Sequence, residues 1–398
     1  MVTGPNRDWI YPLATSTWDE NEVAAMQDVM STGRFTMGEK VFQFEGMFAQ
    51  KFGAKHAVMS NSGSSANLLA LTSQALMRHS GFPKEGAEVI VPAVSWSTTY
   101  YPVTQAGFTL RFVDIDIHTL NIDLDAVRSA VNENTVGILG VNLLGNPADL
   151  RGLREIADSN ALFLVEDNCE SLGSSLEGKY SGTWGNVGTF SSFYSHHIST
   201  MEGGLSLTDC DETYEVMKSL RAHGWTRGMS ESSRFFESSG DSWQDSFSFV
   251  LPGYNLRPLE LEGAIGIAQM AKIDDIVSGR RSNAEKFIDL MRKFPDLLPQ
   301  KEIGSSSWFG FAITLTGRLV GRRAELVRIL DQFGVQSRPV VAGNFTRNPV
   351  LKYLRTAPIG SLPNSDYVHD NSLFIGNNHH PMDVELQTLS KALEAFSI

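Results

Sequence analysis

The chain has 398 residues, 42% hydrophobic and 20% charged, proportions of a folded soluble protein with room for two packed domains. A net charge of -12 and a pI near 5.3 argue against broad binding to nucleic acid or to an anionic membrane, because like charges repel at long range. Two cysteines, Cys169 and Cys210, are too few for a disulfide framework, a zinc set or a four-cysteine iron–sulfur cluster, so no metal is expected.

The opening residues contain no basic stretch followed by an apolar one, and no run of 18 apolar residues occurs, so a cytoplasmic location without membrane association is expected. From residue 56 to 209, short apolar runs alternate with segments of helical period, the pattern of an α/β fold whose helices cover a mostly parallel sheet. Seven strands are predicted, at 56–60, 88–93, 109–115, 136–144, 161–167, 187–193 and 204–209. Helical spacing is clearest at 65–79, 124–133 and 149–160.

Residues 225–248, rich in serine, glycine and aromatics, read as a long loop, and loops of that length are often functional. Residues 257–294 predict one or two long helices. Strands at 306–315 and 334–341, a helix between them and a helical ending from Met382 predict a smaller α+β domain. The boundary is placed near 265, giving a large domain over 1–265 and a small one over 266–398, with residues 1–30 able to pack on either.

Four segments could carry chemistry. In MSNSGSSANLLAL (59–71), Gly63, Ser64 and Ser65 form a turn between strand and helix, where free amides and the helix dipole attract phosphate; the same residues also serve as ordinary caps. Trp96, after the strand in VPAVSWSTTYYP, offers a flat face to a planar ring or simply packs in the core. Asp167 closes the strand ALFLVED at the carboxyl edge of the sheet, where an acid can hold a ring nitrogen protonated, or can cap a turn; Glu170 could flank the same ring. The fourth is GTFSSFYSHHISTMEGGLSLTD (188–209), a strand, a turn with paired histidines, then Glu-Gly-Gly before another strand.

This last segment resembles the sugar aminotransferase and dehydratase family of pyridoxal-phosphate enzymes, whose pattern sets a cofactor-bound lysine five positions after a serine and six before Glu-Gly-Gly. Counting from Ser191 or Glu202 lands on His196. The resemblance runs over nearly the whole chain, through YPLATSTWDE, VNLLGNP, EDNCES, RAHGWTR, LPGYNLRPLELEGAIG and SRPVVAGNF. It implies an aspartate-aminotransferase-like fold of fold type I.

An imidazole forms no lasting Schiff base, so pyridoxal 5'-phosphate or pyridoxamine 5'-phosphate would be held without a covalent bond, and His196 would act only as acid and base. An ordinary histidine pKa of about 6.5 makes both protonation states accessible near neutrality. His197 reads as a surface or turn residue. The resemblance further implies that Gly63, Ser64, Ser65 and Ser191 bind the cofactor phosphate, that Trp96 stacks, that Asp167 faces the pyridine nitrogen, and that Glu170 flanks it. Asn255, in PGYNLRP, would reach the phosphate of a partner subunit, which implies a homodimer. His223, Arg227 and Arg338 are candidates for an anionic nucleotide-sugar.

The implied reaction removes the 3-hydroxyl of a nucleotide-linked 4-keto-6-deoxy-hexose, with glutamate as amino donor and ammonia released. Two rival readings are a nucleotide-sugar aminotransferase, which histidine at 196 disfavours, and a non-catalytic cofactor or nucleotide-sugar binding protein.

Overall fold

The structure, a computed structural model, describes residues 8–78, 83–227, 229–230 and 233–397. Seven strands form the first sheet: β1 His56–Ser60, β2 Glu88–Pro92, β3 Thr109–Val113, β4 Thr135–Val141, β5 Phe163–Asp167, β6 Val187–Ser191 and β7 Gly204–Thr208, in the order β1-β7-β6-β5-β4-β2-β3. The pairs β2/β3, β2/β4, β4/β5 and β5/β6 are parallel, while β7 runs antiparallel to both β6 and β1. Every residue of β2, β5, β6 and β7 is buried, as expected of strands covered on both faces.

The helix Gly63–Arg78 covers one face, and twelve of its sixteen residues are buried, including Asn67, Thr72 and Gln74. Strands β2, β4, β5 and β6 all present their carboxyl ends on one edge, the edge at which ligands of open α/β sheets sit. Strand β6 leaves through residues 192–203 and returns as β7, and Ser191 pairs with Gly204 to close this excursion on one rung of the ladder.

A second sheet contains β8 Leu297–Pro299, β9 Gly310–Leu315, β10 Ser337–Arg338 and β11 Ser372–Gly376, all antiparallel, in the order β8-β9-β11-β10. Its core stacks Phe287 on Phe311 at 4.2 Å and takes in Tyr11 from the N-terminal region. The helix Ile273–Met291 serves both cores: Ile273 and Ile276 pack with Phe44 and Phe48, whereas Ala284, Phe287 and Met291 pack in the second sheet.

The strand expected at 334–341 shrinks to two residues. Pro339 has no N–H to continue the ladder, and the chain turns through Val341 (φ 35°), Ala342 (φ 76°) and Gly343 (φ 68°). In this way Asn344 and Phe345 reach back to Val94 and Ala93 at the end of β2.

Candidate active site

A cavity of about 530 Å3 opens at the carboxyl edge of the first sheet. Strand ends supply one wall through Ser95, Trp96, Val141, Asp167 and Ser191, and Phe309, Arg338 and Phe374 close it from the second sheet.

At one end lies the first turn of the helix Gly63–Arg78. The amide of Ala66 makes the first helical bond, to the Ser62 carbonyl, leaving the amides of Gly63 and Ser64 outside the helical ladder. Ser64 lines the cavity beside Ser62 and Ser191. A Cβ added to Gly63 would lie 2.7 Å from Ser191 Cβ and 2.9 Å from Cys169 Sγ, so only glycine lets the helix approach β6 so closely. This cradle of amides and hydroxyls at a helix N-terminus suits a phosphate.

Ser65 does not join it. Its hydroxyl donates to Asn61 Oδ1 at 2.6 Å, and its amide donates to Ser62 Oγ at 3.1 Å, so Ser62 caps the helix and the Ser65 side chain is engaged away from the cavity lining.

Asp167 lies at the floor. Its Oδ2 accepts from Asn67 Nδ2 (2.9 Å) and Thr99 Oγ1 (2.7 Å), and Oδ1 accepts from the Cys169 amide at 3.2 Å. Behind these donors, Thr189 Oγ1 donates to Asn67 Oδ1 at 2.5 Å, and Ser95 Oγ lies 2.7 Å from Thr99 Oγ1. The carboxylate is thereby oriented chiefly through Oδ2, with Cys169 beside Oδ1. Trp96, 54% exposed, precedes the helix Ser97–Gln105 and presents its indole at the cavity wall.

Glu170 accepts from the Leu144 amide at 2.9 Å. Burial, and to a lesser degree the Asp167 carboxylate, raises it to about 7 against the opposing pull of that amide.

His196 sits on the excursion between β6 and β7, where its amide donates to the Phe193 carbonyl at 2.9 Å. The edges of Phe193 and Phe309 bracket the imidazole, at 6.2 and 5.2 Å between centroids. Nδ1 is sealed from solvent and has no hydrogen-bond partner among the described residues; Nε2 stays accessible. Burial, then the Arg280 guanidinium, lowers His196 to about 3, so the resting ring is neutral. The expectation of a group poised between two states near neutrality is corrected accordingly. His197 is corrected too: it is fully buried and no surface residue.

Arg338 lies at the cavity wall, but His223 and Arg227 do not line this cavity. His223 packs against Trp225 at 5.3 Å, while Arg227 donates to the Ser246 carbonyl and lies over the rings of Trp225 and Phe247. Asn255 is held beside them through its bridge to Ala222, with its side chain accepting from Arg257. These three residues share a surface on the 222–257 stretch rather than the chain's own cavity. Asn67, Thr99 and Phe309 were not foreseen. A buried asparagine inside the apolar run SANLLAL could have been noticed; Phe309 comes from the second sheet and has no local signature.

The residues fit a phosphorylated pyridine cofactor: an acid for a ring nitrogen, an indole for its face, a helix N-terminus for its phosphate, and an imidazole with an accessible nitrogen.

Comparison with known proteins agrees. The sequence profile described as the DegT/DnrJ/EryC1/StrS aminotransferase family matches residues 16–394. The chain is 48% identical over 386 residues to GDP-4-keto-6-deoxy-D-mannose 3-dehydratase of Yersinia pseudotuberculosis, covering 96% of this chain and 98% of that one. It resembles the structure of the Escherichia coli GDP-4-keto-6-deoxy-D-mannose-3-dehydratase with bound hydrated PLP, with a TM-score of 0.93 and 47% identity over 97% of this chain and 100% of the other. It also resembles a structure of GDP-4-keto-6-deoxymannose-3-dehydratase with a trapped PLP-glutamate geminal diamine, with a TM-score of 0.90 and 46% identity over 96% and 100%.

Proposed function

The chain belongs to the DegT/DnrJ/EryC1/StrS aminotransferase family, and we propose that within it the chain is a PLP-dependent dehydratase. Its substrate is GDP-4-keto-6-deoxy-D-mannose, from which it removes the 3-hydroxyl, with glutamate as amino donor and ammonia released. The observation that carries this reading is that, among the described residues, an imidazole and no lysine amine lines the cavity that Asp167 and Trp96 also line.

When bound, pyridoxal 5'-phosphate supplies an electrophilic carbonyl for the amino donor and a conjugated ring that withdraws electrons from a neighbouring carbon. Gly63, Ser64 and Ser191 bind the phosphate. Trp96 covers one face of the ring. Asp167, already oriented by Asn67 and Thr99, uses Oδ1 to accept from the pyridine N–H and keeps that nitrogen protonated. Glu170, near neutrality in its titration, flanks the ring.

His196 Nε2 moves the protons. With cofactor and substrate in place, the neutral imidazole would accept a proton from carbon and return one to the departing 3-hydroxyl as the C3–O bond breaks. Having no amine, His196 releases the cofactor freely between turnovers. Arg338, exposed at the cavity wall, pairs with the nucleotide phosphates.

A homodimer accounts for His223, Arg227 and Asn255, which serve the cavity of the partner subunit. Exposure of Trp243, Phe247 and Phe249 on the same stretch supports burial against a second copy. The proposed setting is deoxysugar biosynthesis in the cytoplasm, on the colitose route to O-antigen; among the described residues no helix is long and apolar enough to cross a membrane.

The test supplies GDP-4-keto-6-deoxy-D-mannose, glutamate and PLP, then measures ammonia, 2-oxoglutarate and the sugar product. Equal amounts of all three, with a 3-deoxy sugar, are expected. An aminated sugar would identify an aminotransferase, and glutamate left unconsumed would identify a binding protein.

A further inference from the structure

His197 stands in a layer behind His196 that the proton transfers do not use. Its buried Nε2 lies 3.1 Å from the carbonyl oxygen of Ser307, 110 positions further along. A carbonyl oxygen only accepts, so Nε2 carries a hydrogen, while Nδ1 is buried with no partner among the described residues to receive a second one. Burial and then the Arg280 guanidinium lower His197 well below the ordinary histidine range, which favours the neutral ring.

Two residues beyond Ser307, the ring of Phe309 meets both histidines, 5.2 Å from His196 with planes at 70° and 5.9 Å from His197 at 44°. The helix Ile273–Met291 holds this segment from its other side. Arg280 Nη1 donates to the carbonyls of Phe309 (3.1 Å) and Asn377 (2.8 Å), and Arg281 Nε donates to that of Ser306 (2.9 Å). Residues 306–309 are therefore clamped between two arginines and one imidazole.

Packing alone does not call for this arrangement, since a leucine would fill a buried site without a polar atom to satisfy. Orientation does. A lysine joined to its cofactor is held by that bond, whereas an untethered imidazole is aimed only by its contacts. We propose that His197 is a positioning residue whose bond to Ser307 sets Phe309 against His196 and fixes the plane of the His196 ring toward the cavity. This rests on the reading of His196 as the proton carrier.

The test compares His197→Gln, which retains an N–H donor of similar reach, with His197→Leu, which does not. In the full chain labelled with 13C at histidine Cε1, His196→Asn identifies the His196 resonance. In the cofactor-free protein His197→Leu is expected to shift and broaden that resonance, and His197→Gln to keep it sharp. Arg280→Met, which frees the Phe309 carbonyl, should reproduce the leucine result. In the turnover assay His197→Leu should lower kcat roughly 10- to 100-fold, the order expected of a misaligned catalytic group, with KM for the sugar within about two-fold, and His197→Gln should recover most of the rate. An unchanged His196 resonance in His197→Leu overturns the proposal, as does a glutamine variant that fails with the leucine variant while both melt at lower temperature. If wild type shows no glutamate-dependent turnover, the reading of His196 falls, while the His196 resonance still decides the positioning role.

Discussion

The side-chain amide of Asn67 donates to Asp167 Oδ2 over 2.9 Å, tying the second turn of a helix to the end of a strand 100 residues later. Together with the 2.7 Å bond from Thr99, it occupies one carboxylate oxygen and aims the other.

Asn67→Leu or Thr99→Val leaves a buried carboxylate short of a donor, at a cost of about 1–3 kcal/mol. Because the bound cofactor depends on that carboxylate, each variant is expected to bind PLP roughly 10-fold more weakly, measured by quenching of tryptophan fluorescence. Wild-type affinity in both would show that Asp167 holds its place unaided.

Gly63→Ala sets a methyl group against Ser191 and Cys169, where less than 3 Å is available. Overpacking of this kind costs about 1–3 kcal/mol. A lower melting temperature by calorimetry and a parallel loss of PLP affinity are expected. A variant that melts and binds as wild type would mean that the helix can back away from β6.

Glu170 has a folded pKa of about 7, above its ordinary carboxylate value. The folded chain keeps this proton in a window where the unfolded chain has lost it, so the stabilising contribution is complete below about pH 4.3 and disappears as pH rises through 7. Glu170→Gln, neutral throughout and still able to accept from the Leu144 amide, should therefore gain melting temperature relative to wild type between pH 5 and pH 8.5 in the cofactor-free protein. A difference that stays flat across that range would place the carboxyl in ordinary solvent.

His196→Asn removes the proposed proton carrier and leaves the cradle, the indole and Asp167 in place. PLP affinity within about three-fold of wild type is expected, with ammonia release lowered by roughly 10²- to 10⁴-fold, the span of general acid–base contributions. Normal ammonia release by this variant would assign the proton transfers elsewhere.

Much of the first sheet was legible because its strands are short, largely buried and mostly apolar, and a strand forms at each of the seven predicted positions. Asp167, Trp96, Gly63 and Ser64 could be singled out because each sits where a strand or helix terminates, and termini are marked locally; Ser191, which lines the same cavity, was singled out through the family resemblance alone. The second sheet was harder. Its strands β8 and β10 have three and two residues, too few for a period to register, and Pro339 cuts the second short.

Partnerships across long separations were invisible. Nothing near His197 announces that its hydrogen-bond acceptor is Ser307, or that the side chain is buried. Paired histidines in a polar turn suggest solvent, and the second sheet overrules that suggestion by packing over them. The same distance hid Arg280, which depresses the titration of His196 from a helix that the local pattern could place but not aim. Arg227 and His223 stand away from the chain's own cavity, and nothing in their local pattern says whether they serve it or that of a neighbouring copy.

The Ser191–Gly204 rung that opens and closes the 192–203 excursion makes position 196 an interchangeable part. The ladder is complete before the loop departs and resumes when it returns, so a different side chain at 196 leaves every rung in place. Such a change is felt instead by the rings packed against that side chain, Phe193 and Phe309.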